Sequence, residues 1–508
     1  MKRRDFLAAS SSFLLPLTVN GLSIKAFNEN STLVKSLKNT AALNSDRILV
    51  MINMIGGNDG LNTVIPLDQY SAYQSLRSNI AIPESSVLPL SGNLGTGLHP
   101  AMTGLRNMYD EGKLSIIHSV GYPNPNQSHF RSAEIWMSGV DYNQYDSSGW
   151  MGRYLGNRYE DYPNGYPNQT MEDPIALQIG YIATPTLQGN SQSMAVTIDS
   201  PDNFYQLIGG AEASPPSNIP PLQTGEQIAF IRQQQALAVG YASEIKAAAD
   251  AGQNLATYPS VFENNDLANQ LKIVARLIHG GLKTKIFFVT QYGYDTHSTQ
   301  VDSSDNREGQ HAYLLSKLSV AISTFQLDLQ LQGNADKVVG MTFSEFGRRA
   351  TSNSSKGTDH GVAAPMFVFG NGVKKQTIGN NPNLTTGLLP ENPPPWETGR
   401  DIKMQVDFRR VYNDILADWF GTAQLTTNNL LFRNFDTITL FTDTVDSLSN
   451  GNWEDSNIWT VARKPMAHEV VKIKAGHSVS LNENSTVKDL ILEGSLTFEG
   501  NSNLNFGE

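Results

Sequence analysis

Ile48-Leu49-Val50-Met51-Ile52 runs into Gly56-Gly57-Asn58-Asp59-Gly60, and the reading of this stretch decides the fold. Five apolar residues in a row have no polar face, so a strand made of them must be covered on both sides. The glycines then let the backbone turn sharply and bring Asp59 to the end of the strand. Two later segments repeat the plan. Ile286-Phe287-Phe288-Val289 leads into Tyr294-Asp295-Thr296-His297, and Val338-Val339-Gly340-Met341-Thr342-Phe343 leads into Ser344-Glu345-Phe346-Gly347-Arg348. Buried strands of this kind belong to a mostly parallel sheet flanked by helices, and ligands of such sheets bind beyond the carboxyl ends of the strands. Asp, His and Glu from distant segments therefore meet at one rim.

The stretches between these strands have helical character. Helices are expected over 101–111, from Ser128, and over 225–251, 264–280, 309–331 and 408–420. Further strands are expected over 114–119 and 365–369. The alternation gives an α/β fold with a mostly parallel central sheet. Ser214 to Pro221 is a proline-rich loop, and 381–399 a long surface loop. Near Thr442 the character changes. Val470-Val471-Lys472-Ile473, Val479-Ser480-Leu481, Leu490-Ile491-Leu492 and Leu496-Thr497-Phe498 are short and separated by Gly, Asn or Ser. They predict a small all-β C-terminal unit or the start of a solenoid. The expected organisation is a leader over 1–42, an α/β domain over 43–440 and a β module over 443–508.

Lys2-Arg3-Arg4-Asp5-Phe6-Leu7, followed by an Ala/Ser/Leu-rich run to Leu17, reads as a twin-arginine export signal. The apolar run is too short to span a bilayer. Cleavage is expected between Leu22 and Ala42, placing the mature chain in the periplasm, at the cell surface or outside the cell. Net charge is 37 − 48 = −11, and no basic block offers phosphate contacts, which argues against a nucleic-acid partner. There is no cysteine, so neither a thiolate ligand nor a cysteine nucleophile is available.

That leaves carboxylate, imidazole and hydroxyl as chemistry. Asp59, Asp295, His297, Glu345 and His360 all fall at expected rim positions and form a candidate metal set. Zinc suits the histidines; manganese or calcium would suit a carboxylate-dominated site. Asp295 and His297 are two apart, which in extended chain places both on one side. Ser128 opens a helix, beside free backbone N–H groups suited to phosphate or sulfate. Arg348 and Arg131 are fixed cations able to hold a tetrahedral anion. Each residue also has a plainer reading: Asn58-Asp59-Gly60 is ordinary turn chemistry, Ser128 an N-cap, and His118, His279 and His311 packing groups.

Taken together, Gly56 to Thr63, Ser128-His129-Phe130, Gly149 to Arg153, Tyr294 to His297, Ser344 to Arg348, Thr358-Asp359-His360-Gly361 and Asp407 to Tyr412 resemble an exported bacterial family catalogued as domain of unknown function 1501. The resemblance runs from about Asp46 to Gly421. It implies the fold of the alkaline phosphatase and sulfatase superfamily, with a two-metal site at strand ends. By that resemblance Asp59, Asp295, His297, Glu345 and His360 are metal ligands, and Ser128 is the nucleophile of a phosphate or sulfate ester hydrolase. The substrate would be a small-molecule or glycan ester. Two departures are visible: the superfamily spaces the Asp295/His297 pair more widely, and Phe346 stands where a histidine would follow Glu345. They keep open a second reading, a catalytically degenerate binding or scaffold protein of the envelope associated with polysaccharide. Gly451 to Trp459 and Ala475 to Leu481 resemble β modules of large secreted proteins, which implies cell-surface attachment or self-association.

Overall fold

The strand Ile48–Ile55 lies at the middle of a nine-stranded sheet, with Val338–Phe343 on one side and Ile286–Tyr292 on the other, parallel to both. Met51 stands level with Phe288 and Met341, and all three are buried. The computed structural model describes residues 16–19, 22–25, 46–190, 192–208, 223–259, 265–389, 401–441, 444–459, 464–467 and 469–506. Most of the expected leader and the proline-rich loop Ser214 to Pro221 lie outside the described residues. Among the described residues, no helix is long and apolar enough to cross a membrane.

Across the sheet the order is Gln376–Ile378, Leu114–Gly121, Ala364–Phe369, Val338–Phe343, Ile48–Ile55, Ile286–Tyr292, Ala176–Ile179 and Val196–Ile198, with Val406–Asp407 also paired to Leu114–Gly121. Every pairing is parallel except the two made by Ala364–Phe369. Its reversal has a local cause. A parallel return needs a crossover, usually helical, that carries the chain back to the other end of the sheet. The twenty residues from Ser344 to Ala363 contain no helix, so the next strand starts from the rim where the last one stopped. Residues at the start of that reversed strand therefore share a rim with the carboxyl ends of the others.

The expected helices form at Thr103–Asp110, His129–Ser138, Gln223–Ala251, Asp266–His279, Gln310–Leu331 and Phe408–Asp414. Asp266–His279 buries Leu267, Leu271, Val274, Leu277 and Ile278, the i, i+4, i+7 and i+10, i+11 positions of one helical face. Sequence pattern did not announce Trp150–Arg158, Ala176–Ile179 or Val196–Ile198. The strands are only three or four residues long, too short for a period to show.

The C-terminal unit is described by itself. Thr444–Asp446, Val470–Ile473 and Asp489–Leu492 stack in parallel, as do Gly451–Asn452, Ser478–Leu481 and Ser495–Phe498, and then Ser485–Val487 with Leu504–Phe506. Successive turns of chain thus lie over one another, the arrangement of a parallel solenoid. Val445, Val471, Ile473, Val479, Leu481 and Val487 point inward with Trp453 and Trp459, and form its core.

Candidate metal centre

The loop after Ile286–Tyr292 carries Asp295 and His297, and the loop before Ala364–Phe369 carries Asp359 and His360. The helix His129–Ser138 brings His129 to the same place. Nε2 of His129 lies 3.6 Å from Oδ2 of Asp295, and Nε2 of His360 lies 3.4 Å from Oδ1. Nε2 of His297 is 3.1 Å from that same Oδ1 and 2.9 Å from Nε2 of His360. Donor atoms about 2.0 Å from one shared tetrahedral ion lie about 3.3 Å from one another, so the spacing fits a zinc-sized ion. His129, Asp295 and His360 each offer an atom within 4.8 Å of the others, and this group could hold a metal ion.

The imidazoles are also turned correctly. Nδ1 of His360 faces the backbone carbonyl of Gln127 at 2.8 Å, so that nitrogen carries the proton and Nε2 is left with its lone pair. Nδ1 of His129 is 2.8 Å from Oε1 of Glu345, which sets the same tautomer and ring orientation. Nδ1 of His297 lies 3.2 Å from Oδ1 of Asp359. The hydrogen bond to Glu345 raises the pKa of His129, against an opposing effect of burial. Burial lowers that of His360. Burial works to raise Asp295, but the hydrogen bond and charge of Arg348 outweigh it and hold the carboxylate below its ordinary value. Half the Asp295 side chain is exposed, which leaves the cluster open to solvent.

Glycine makes the approach possible. Gly56 has φ +125°, and a Cβ there would stand 2.3 Å from the Asp295 backbone nitrogen; Gly57, at φ +82°, would meet the Phe346 ring at 2.3 Å. Any side chain at Gly56 would displace the loop that carries Asp295.

Of the residues singled out in the sequence, Asp295, His297 and His360 come together. The others do not join them as expected. Asp59 is fully buried and bound to Nη1 of Arg77 at 2.7 and 3.0 Å and to Nε2 of Gln300 at 2.5 Å. Its carboxylate is therefore spent on a buried ion pair rather than turned to the cluster. Glu345 is 5% exposed; Oε1 accepts from the Gly56 N–H at 2.9 Å and faces His129, so it orients a ligand candidate instead of acting as one. Arg348 is fully buried and donates to the carbonyls of Gly57, Thr358, Gly56 and Tyr294 as well as to Asp295. Its guanidinium has no exposed surface to offer a tetrahedral anion. Arg131 binds the carbonyls of Tyr142 and Gln144 and pairs with Glu134, which fastens a loop. Ser128 is exposed at the N-cap, makes no capping bond with its side chain, and precedes His129 directly.

Sequence reasoning passed over His129 and Asp359. Both were quoted only as neighbours, of Ser128 and His360. The usable signal for His129 was that a helix start after Pro123-Asn124-Pro125 must sit near the carboxyl end of the Leu114–Gly121 strand. Phe346, where the resemblance calls for histidine, packs its ring against His129 and His360 at 4.8 and 4.5 Å between centroids. An aromatic ring there supports the imidazoles but offers no ligand.

Residues 208–431 match the model of a family described as "Protein of unknown function (DUF1501)". This is the family resembled in sequence, and the matched stretch holds the Asp295, Glu345 and His360 motifs but not those of Asp59 and Ser128. No curated protein matches. Among solved structures, the chain is similar to a protein in the alkaline phosphatase superfamily from Vibrio parahaemolyticus, with 11% identity and a TM-score of 0.30. That alignment covers 66% of this chain and 63% of the Vibrio protein. A sulfatase from Pseudoalteromonas sp. aligns at 10% identity over 71% of each chain, with a TM-score of 0.28. The alkaline phosphatase of the Antarctic bacterium TAB5 aligns at 8% identity over 66% of this chain and 95% of its own, with a TM-score of 0.26.

Proposed function

We propose that this protein is an exported, metal-dependent hydrolase of phosphate or sulfate esters. The observation that carries the reading is the convergence of Nε2 of His129, Nε2 of His360 and both oxygens of Asp295 at 3.4–3.6 Å, on the solvent-facing rim of a rigid sheet. His129, Asp295 and His360, with His297 as a fourth donor, would hold zinc; calcium and manganese fit a two- or three-imidazole set less well. A bound divalent ion supplies Lewis-acid chemistry, neutralising charge on an ester oxygen and lowering the pKa of a hydroxyl or water. The protein's own part is orientation. Glu345 and the Gln127 carbonyl hold the two imidazoles with Nε2 forward, and Arg348 anchors the Asp295 carboxylate. Ser128, at the exposed helix start beside His129, is the proposed nucleophile. Export follows from the twin-arginine pattern at Arg3-Arg4, and the module over 443–508 is proposed to attach the chain to the cell surface or to its own copies.

One observation favours a binding or scaffold protein instead. Arg348, the guanidinium at the cluster, is fully buried and turned to carbonyls and Asp295, so it presents no exposed cation to a tetrahedral anion. Metal analysis and an ester screen separate the readings. Purified protein supplemented with zinc should hold roughly one equivalent, and less than about 0.2 equivalents of any divalent metal sinks the hydrolase reading. Hydrolysis of 4-nitrophenyl phosphate or sulfate that Ser128→Ala abolishes at unchanged stability rules out the scaffold.

A further inference from the structure

On the same rim, beyond the opposite side of the Ile286–Tyr292 strand, lies a cleft of about 350 Å³. That is the size of a small-ligand site. Its walls are the loop after Ala176–Ile179, the start of helix Asp266–His279 and one face of helix Gln310–Leu331, with Thr290 and Gln291 below. Three large side chains on its lip are exposed to an unusual degree: Tyr181 by 89%, Ile182 by 74% and Tyr292 by 64%. Water-facing aromatic surface gathered at the mouth of a cleft marks a place where something binds.

The lip is rigid. Gln178 holds the loop with its side chain, donating to the Ile182 carbonyl at 2.5 Å and accepting from the Thr184 N–H at 2.7 Å. Gln270 does the same for the floor, donating to the Thr290 carbonyl and accepting from its N–H at 2.8 and 2.9 Å. The side chains of Asp266 and Asn269, and the hydroxyls of Tyr181 and Tyr292, make no hydrogen bond or ion pair with any described residue. They are solvent-accessible donors and acceptors that line the cleft.

We propose that this cleft binds neutral sugar units of a carbohydrate chain. A sugar has flat C–H faces that cover tyrosine rings and hydroxyl edges that need both donors and acceptors, the two kinds of surface present here. An anion is disfavoured, since the lining holds two carboxylates, Asp199 and Asp266, against one ammonium, Lys317. Tyr292 and Asp295 are three residues apart, so their Cα atoms are within about 11 Å of each other. A chain held on Tyr292 thus reaches the metal centre within one or two sugar units. The cleft then selects the sugar that flanks the ester; this last step rests on the proposed hydrolase, whereas carbohydrate binding does not.

The test is affinity electrophoresis of the full chain in native gels containing dextran, xylan, galactomannan or laminarin. At least one should retard the protein, and the double variant Tyr181→Ala/Tyr292→Ala should weaken retardation about tenfold or more, with unchanged melting temperature and zinc content. His360→Ala should lose zinc and keep the retardation. Absence of retardation by all four, equal retardation of the double variant, or retardation abolished by a peptide digest but not by free oligosaccharide overturns the proposal. Turnover of 4-nitrophenyl esters, which carry no sugar, reports on the hydrolase reading separately; its absence alongside tyrosine-dependent retardation leaves the cleft standing.

Discussion

Arg348, with no exposed side-chain surface, donates from Nη2 to Oδ1 of Asp295 at 2.5 Å, while Asp295 itself is half exposed. The pair joins the buried rim of the sheet to the solvent-facing cluster. Its guanidinium also binds four backbone carbonyls, from Gly56, Gly57, Tyr294 and Thr358, and so ties three loops together. Lysine has the charge but not the planar fork, and would leave most of those buried carbonyls without donors. Arg348→Lys should therefore cost on the order of 3 kcal/mol in chemical denaturation. Because Asp295 would lose its anchor, zinc affinity measured by chelator competition should fall about 10- to 100-fold. An unchanged zinc affinity would show that Arg348 does not position the carboxylate.

Asp59 and Asp295 should differ in what the same change does to zinc content. Asp59→Asn leaves the buried Arg77 charge without a carboxylate, and breaking such a pair costs about 3–5 kcal/mol. Zinc content should not change, since Asp59 is held by Arg77 and Gln300. Asp295→Asn should lose zinc, and should lower stability as well, because it takes the carboxylate away from the fully buried Arg348 guanidinium. Isotope-dilution metal analysis beside urea titration reads both; loss of zinc in Asp59→Asn at full stability would make Asp59 a ligand after all.

Acid should destabilise the protein well above the usual carboxylate range. Burial pushes His99 down to about 3 and His118 and His311 down to about 4, against 6.5 for an ordinary histidine. Between those values the unfolded chain takes up protons that the folded chain refuses, so stability falls as pH drops below 6.5. Asp414 works against this: burial raises it to about 7, so its folded form is protonated in the same window while the unfolded form is not. Three protons less one leaves two, a slope of about 2.7 kcal/mol per pH unit near pH 5. Melting temperature followed from pH 7 to pH 5 checks the sign, and His118→Gln should flatten the slope by about 1.4 kcal/mol per pH unit. A melting temperature that rises on acidification would contradict the buried, neutral state of these histidines.

The sheet was legible because its central strands are continuous apolar runs, and the turn residues after Ile52, Val289 and Phe343 mark where each run ends. The rim position of Asp295 and His297 follows from that alone, whereas that of His360 depends on the reversal of the strand after it. Strand direction was not legible: nothing in Pro365 to Phe369 says that the strand runs backwards, since the cause is the lack of a helix between Ser344 and Ala363. Side-chain partners were hidden for a different reason. Asp59 and Arg77 are 18 residues apart and Arg348 and Asp295 are 53 apart, and no local pattern pairs a rim carboxylate with one arginine rather than another. His129 was lost to the attention drawn by the hydroxyl beside it.

The C-terminal unit gives a last prediction. Val471 is fully buried, level with Val445 on one side and Leu490 on the other, in the middle strand of three parallel ones. Each turn of a solenoid is stabilised mainly by its neighbours, so a defect in the middle turn disturbs both. An aspartate at this position would place its carboxylate in a cluster of buried Val, Ile, Leu and Trp side chains. An unpaired carboxylate in an apolar core costs several kcal/mol, more than a unit of this size without disulfide or metal is expected to hold in reserve. Val471→Asp should therefore open the C-terminal unit, seen as new protease cleavage between Thr444 and Phe506. The metal cluster, built wholly from residues between His129 and His360, should keep its zinc. Loss of zinc or precipitation of the whole chain in Val471→Asp would mean that the solenoid and the sheet fold as one unit.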